Sequence, residues 1–460
     1  MPEASAEAPV AGGGRSPGGL MVGEPRPNPP VGTGRCPAHR PAAAPALLPV
    51  PCPGPPGPVA SSSVDFDFSP ELAALQTSVR RLAQDKVKPR AREIDTTGAY
   101  PQDIFEAFRD ADLLGLCLPT ELGGSGAGIL GLTVAIEEVA KYSNTAALML
   151  LLTRLPVGPV LIAGNDDQKR RYLTGIPTGE VRAGFGLSEA QAGSDVAGMR
   201  TRARPATPGA DPAGHDGDWI LDGTKCWMSG VREADWYTVF AKTGDPSSRA
   251  HGSITAFIVE RGWDGVSVGR TDHKMGVRGV DTGELVLDGV RVPAENVIGE
   301  VGGFRLAMLG LNAMRPIVAA RGIGLAEGAL MYATEYVKGR EAFGGTIADF
   351  QGIQWEIAKM AVEIEAARLL TYRAASLADQ GKYTKEYVPY LSMAKYHATE
   401  VAVKASGLAV QLLGAAGYMA DHPTELWYRD ARQLTIVEGT SQVQLGLIGR
   451  GVLAGDLWWD

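Results

Sequence analysis

Phe185-Gly-Leu-Ser-Glu-Ala-Gln-Ala-Gly-Ser-Asp195 lies where the patterning of this chain changes period. Upstream of it, apolar residues recur every three or four positions, as one buried helix face requires. Downstream they alternate in short runs broken by Gly, Asp and Pro, as half-buried strands do.

On the helical side, Ser69-Pro-Glu-Leu72 sets a capping serine ahead of a proline at the first helical position. Leu72, Leu75, Val79 and Leu82 then continue one face. Further helical patterns cover 101–114, 129–142, 146–155 and 166–173, and Gly123-Gly-Ser-Gly-Ala-Gly128 is a flexible connection among them. Residues 64–184 therefore read as an N-terminal helical domain.

On the other side, Trp219-Ile-Leu-Asp-Gly223, Trp236-Tyr-Thr-Val-Phe-Ala241, Ile254-Thr-Ala-Phe-Ile-Val259 and Glu284-Leu-Val-Leu-Asp288 read as strands of a middle β-barrel-like domain, 185–300. The Pro, Gly and Asp cluster at 205–217 reads as an exposed hairpin loop. Long helical periods return at 306–330, 353–380, 386–413 and 425–434, giving a C-terminal four-helix-bundle-like domain over 301–460. The fold class is α+β, mainly α. Gly322-Ile-Gly-Leu-Ala-Glu-Gly328 has the wrong spacing for a dinucleotide loop and follows no strand, so it predicts close helix packing.

Residues 1–63 hold 16 of the 31 prolines and almost no periodic apolar pattern, which predicts a disordered tail. That tail has neither the apolar stretch of a secretory signal nor the amphipathic pattern of a transit peptide, so a cytoplasmic protein is expected. A net charge of -8 argues against a nucleic-acid footprint. Arg154, Pro156 and Pro159 break the most apolar window, which excludes a membrane span there. Four cysteines without metal-ligand spacing predict no zinc site and no disulfide framework.

Near the C-terminus, Leu434-Thr-Ile-Val-Glu-Gly-Thr-Ser-Gln-Val-Gln444 puts one carboxylate, Glu438, into a short loop between two helical patterns. Ser441 and Gln444 have capping-box spacing, so a last helix is expected to start near Gln442, with Gly439 permitting the turn. An isolated Glu in this place complements a helix dipole; a Glu facing a ligand would be a base.

Five dispersed segments decide between these. Phe185 to Asp195, Gly223-Thr-Lys-Cys-Trp-Met-Ser-Gly230, Arg340-Glu-Ala-Phe-Gly344 with Gln351, Gln411-Leu-Leu-Gly-Ala-Ala-Gly-Tyr418 and Val437-Glu-Gly-Thr-Ser441 together resemble the acyl-CoA dehydrogenases, in colinear order over about 66–453. The resemblance implies FAD, bound by residues matching Leu187, Ser188, Gly193, Ser194, Trp227, Ser229, Thr440 and Gln442. Across a subunit contact it implies Arg340, Phe343, Gln351, Gln411, Gly414 and Gly417 as well, hence a homodimer or homotetramer. It assigns the substrate to Ser194, Arg315 and Gly439, and the role of base to Glu438. These residue types suit the task. Hydroxyls can reach a flavin's polar edge, an indole offers a flat face, and a guanidinium fork matches paired phosphate oxygens.

The implied reaction is α,β-dehydrogenation of an acyl thioester in fatty acid metabolism, with electrons leaving to an electron-transferring flavoprotein or another acceptor. Some members carry the base at the position matching Met314, and methionine cannot take a proton. The chain departs from the family's pattern in Gly414-Ala-Ala-Gly417, Leu426, Asn312 and Leu445. The last two touch the expected carrier side, so an acyl-carrier-protein thioester stands beside acyl-CoA. A flavin oxidase or monooxygenase on the same fold, and a non-catalytic acyl-thioester-binding scaffold, are the rival readings.

Overall fold

The computed structural model describes residues 67–207, 217–244 and 251–457. The expected tail at 1–63 and most of the hairpin loop at 205–217 lie outside the described residues.

Seven helices come first: α1 (Pro70–Leu82), α2 (Ala91–Thr97), α3 (Gln102–Asp110), α4 (Gly128–Ala140), α5 (Asn144–Leu152), α6 (Gly158–Ala163) and α7 (Asp166–Leu173). Ser69 caps α1 as its position predicts, its hydroxyl accepting from Leu72 N at 3.3 Å. Asn165 and Gln168 close a reciprocal capping box on α7. Helix α4 is buried almost all round, including Glu137 and Glu138. These two carboxylates are tolerated because cations meet them: Arg80 and Lys141 reach Glu138 at 2.9 and 3.0 Å, and Arg368 reaches Glu137 at 2.8 Å.

An eight-stranded sheet follows, made of β1 (Ala183–Gly186), β2 (Arg202–Pro205), β3 (Trp219–Ser229), β4 (Trp236–Lys242), β5 (Ile254–Glu260), β6 (Val266–Thr271), β7 (Thr282–Val292) and β8 (Val297–Ile298). Its order is β6-β7-β3-β2-β4-β5-β8, with β1 joining β4 in parallel. The long antiparallel pair β3–β7 slips register between Lys225 and Met228. That irregularity leaves Trp227 at φ +58°, a left-handed conformation that puts its indole out of the strand's ordinary alternation.

The remaining elements are α8 (Phe304–Gly339), a two-stranded hairpin of β9 (Glu341–Ala342) and β10 (Gly345–Thr346), α9 (Gln351–Asp379), α10 (Val388–Leu413), the short α11 (Ala415–Tyr418), α12 (Thr424–Leu434) and α13 (Ser441–Ala454). Helix α10 packs against α8, α9, α12 and α13. A Cβ on Gly322, Gly324 or Gly328 would stand 2.7, 2.2 or 2.1 Å from the backbone oxygens of Ala398, Glu137 and Lys141. These glycines let α8 press on α4 and α10, as expected. One apolar core continues from the N-terminal helices into the bundle, with Leu132, Ala135, Leu150, Met314, Ile317 and Ala375 all buried in it.

Candidate active site

The segment that follows β1 and the second half of β3 are locked face to face. Cys226 N donates to Ser188 O at 2.9 Å, and Lys225 Nζ donates to Leu187 O at 3.2 Å and to Glu189 Oε1 at 2.7 Å. Leu187, Ser188, Trp227 and Ser229 therefore belong to one wall. Leu187 is buried, Ser188 and Ser229 are half-buried, and Trp227 is 53% exposed. Beside it Gly193 and Ser194 are exposed, and a Cβ built on Gly193 meets nothing within 4 Å. A half-exposed indole in left-handed backbone, next to an open glycine turn, covers no protein core and is free to receive a flat ligand.

Glu438 sits in the loop between α12 and α13 with φ +52°, followed by Gly439 at φ +92°. A non-glycine residue in this region stores strain of about 1 to 3 kcal/mol, which its surroundings must hold. Three neighbours do so. Gln444 donates from Nε2 to the carbonyls of Glu438 and Gly439 at 3.3 and 3.2 Å, Lys395 Nζ donates to Gly439 O at 2.8 Å, and Ile436 and Val437 amides both return to Gln433 O. Glu438 Oε2 is buried with no hydrogen-bond partner, and the Glu438 amide N–H meets no acceptor among the described residues. Burial pushes the carboxyl up to about 7, while Arg321 and Lys395 pull it down. An unpartnered buried oxygen with a pKa near neutrality is what a general base needs.

Arg315 lies on α8 one residue after Met314, both buried. Its Nη1 donates to Ser392 Oγ at 3.0 Å, its Nε has no partner, and no carboxylate pairs with it among the described residues. Burial alone lowers it to about 10.

Arg340, Phe343 and Gln351 occupy the opposite end of α8, with Gln411, Gly414 and Gly417 at the end of α10. The two segments meet there, for Tyr332 on α8 hydrogen-bonds His422 beyond α11 at 2.8 Å. Phe343 is 97% exposed at φ +54°. From Arg321, which faces Glu438, to Arg340 the helix rises about 28 Å, so this group lies well away from Glu438 within the chain.

One expectation is corrected. The cap of α13 is Thr440, whose Oγ1 accepts from Val443 N at 3.2 Å; Ser441 is the first helical residue and its hydroxyl donates to Glu400 instead. Gln444 is thereby released from the capping box to hold the Glu438 loop, while Gln442 points to the exposed side. Ile436, two residues before Glu438, is 53% exposed. Sequence reading assigned no role to Lys395, Arg321, Gln433 or Glu189. The available signal was a lone cation inside an apolar helical stripe, as in Leu391-Ser-Met-Ala-Lys-Tyr-His-Ala398.

Profiles of the acyl-CoA dehydrogenase N-terminal, middle and C-terminal domains match residues 69–180, 184–290 and 302–453. The chain is 37% identical over 390 residues to a probable acyl-CoA dehydrogenase of Mycobacterium leprae, covering 84% of this chain and 97% of that one. It is 40% identical over 375 residues to the CarC subunit of the caffeyl-CoA reductase–Etf complex of Acetobacterium woodii, covering 80% and 95%. The solved butyryl-CoA dehydrogenase of Megasphaera elsdenii superposes with a TM-score of 0.78 at 35% identity, covering 85% of this chain and all of that one.

Proposed function

Because the chain belongs to the acyl-CoA dehydrogenase family, we propose that it introduces an α,β double bond into an acyl-CoA, with Glu438 as the base. Members of this family are FAD-dependent oxidoreductases that act on acyl-CoA. The observation that carries the proposal is Glu438 itself, half-buried with its Oε2 buried and unpartnered, held in a strained loop beside a free amide N–H.

The residues fit the cofactor. Trp227 offers an uncovered aromatic face, Ser188 and Ser229 offer hydroxyls on the same wall, and the open turn at Gly193 and Ser194 offers amides to a phosphate. FAD, when bound there, supplies the acceptor for the substrate's β-hydride. The rest falls to the chain. The Glu438 N–H is available to polarise the thioester carbonyl, which makes the α-proton acidic enough to remove. Oε2 of Glu438 takes that proton, and its raised pKa makes it a stronger base than a solvated carboxylate. In this reading Arg315 and Gly439 contact the acyl thioester.

The working unit in this reading contains at least two copies. The separation along α8 supports that, because Arg340 and Phe343 of one chain can serve only the site of another. We take an electron-transferring flavoprotein as the electron acceptor, supported by the Acetobacterium relative's place in a complex with Etf. The test is an anaerobic titration of the purified flavoprotein with linear and branched acyl-CoAs and the matching carrier-protein thioesters. Bleaching by one acyl-CoA class supports the proposal, bleaching only by a carrier-protein thioester replaces the substrate, and no bleaching by any thioester removes it.

A further inference from the structure

Two buried cations grip the two ends of the Glu438 loop, and neither has an ion-pair partner among the described residues. Arg321, on α8 and 1% exposed, donates from Nε to Asn144 Oδ1 at 2.8 Å and from Nη2 to Gln433 Oε1 at 2.9 Å. Lys395, on α10 and fully buried, donates to Gly439 O at 2.8 Å. Every acceptor is a neutral oxygen, and no carboxylate lies within ion-pair distance of either cation among the described residues. Gln433 begins the turn, through its carbonyl, and Gly439 ends it. The fixed charges therefore bracket Glu438, whose Oε2 is buried and unpartnered.

A buried cation without a counterion is strongly destabilising. The charges facing these two cations are Glu438 for both, Asp430 on α12 and Lys274 for Arg321, and Glu400 and Arg315 for Lys395. Glu438 is the one they share. We propose that Arg321 and Lys395 are positioning residues that form a cationic cradle under the base loop, fixing its strained backbone and holding Glu438 as a carboxylate. Once Glu438 has taken a proton, the cradle keeps its positive charge, which favours the anion developing on the thioester. This inference rests on Glu438 being the base, and it assigns that base its electrostatic partners.

The experiment follows the pH dependence of anaerobic flavin bleaching by butyryl-CoA, together with thermal unfolding of the FAD-loaded protein at pH 8. Lys395→Met removes a charge that favours the carboxylate, so the midpoint moves up by about one pH unit. Lys395→Arg restores it, and a merely structural lysine would not produce that pattern. In unfolding, Lys395→Met lowers Tm less in a Glu438→Gln background than in the wild type, because Lys395 has there already lost its shared countercharge. Arg321→Gln carries the same two measurements where Lys395→Met does not fold. An unmoved midpoint in FAD-loaded variants, or additive Tm changes, overturns the cradle. Wild-type protein that fails to bleach with any acyl-CoA overturns the function instead, and the Tm coupling then still reports on the cradle.

Discussion

Lys225 donates to Glu189 Oε1 at 2.7 Å, and both side chains are buried. Glu189 follows Ser188 and Lys225 lies two residues before Trp227, so this ion pair sets the register of the wall that carries both. Thr201 and the Arg200 amide complete the shell around the carboxylate. Burial would raise the Glu189 carboxyl, but Lys225 and these donors outweigh it and hold it at about 2.

Lys225→Met strands that carboxylate. Removing one partner of a buried pair costs about 3 to 5 kcal/mol, so the variant is expected to lose stability by that amount in urea unfolding and to purify with little flavin. The double variant Lys225→Met, Glu189→Gln recovers part of the loss, since no lone charge remains. As the pH falls, the contribution of Glu189 is complete above its unfolded value near 4.5 and disappears on the way to about 2.

Gly193 separates cofactor binding from folding. Its Cβ would meet nothing, and its φ lies outside the left-handed region, so Gly193→Val leaves the unfolding curve of the apoprotein in place. If the turn at Gly193 exists for close approach by a phosphate, the same variant weakens FAD at least about tenfold, which is 1.4 kcal/mol of binding. Fluorescence titration of apoprotein with FAD measures it. Unchanged affinity would take Gly193 out of the cofactor site.

Glu438→Gln should keep FAD and abolish bleaching, since the amide cannot accept the α-proton. Its stability carries a second signature. The folded pKa of about 7 lies above the unfolded value, so the wild type keeps the full contribution of this group below about 4.5 and loses it as the pH rises through 7. Glu438→Gln removes that dependence, and its Tm relative to the wild type should rise between pH 5 and pH 8. A flat difference would mean that Glu438 is solvated.

The contrast between helical and alternating periods was legible because α10, β3 and β7 each bury a face of their own, while α4, β4 and β5 are buried nearly throughout. Elements defined by their neighbours were not. β6 alternates toward solvent, and the left-handed turn at Trp227 arises from a register slip against β7. At the site, Glu438 and the serines stood in contiguous motifs. Lys395 and Arg321 lie 43 and 117 residues before Glu438, and only the packing of α8 and α10 against the loop gives them a role.

Phe343 supplies the last test. Its ring is 97% exposed and its φ is +54°, so a single chain exposes a large apolar group in strained backbone, with the Phe350 ring 5.9 Å away. If Arg340 and Phe343 serve a cofactor site, the rise of about 28 Å along α8 from Arg321, which faces Glu438, to Arg340 puts that site in another copy. Arg340→Ala and Glu438→Gln then fall in different halves of one site. Co-expressing the two inactive chains creates mixed dimers in which one site is intact and the other carries both defects. Random pairing should return about a quarter of the wild-type bleaching amplitude. If each site is built from one chain, the co-expressed mixture stays as inactive as its parents, and the shared-site reading fails.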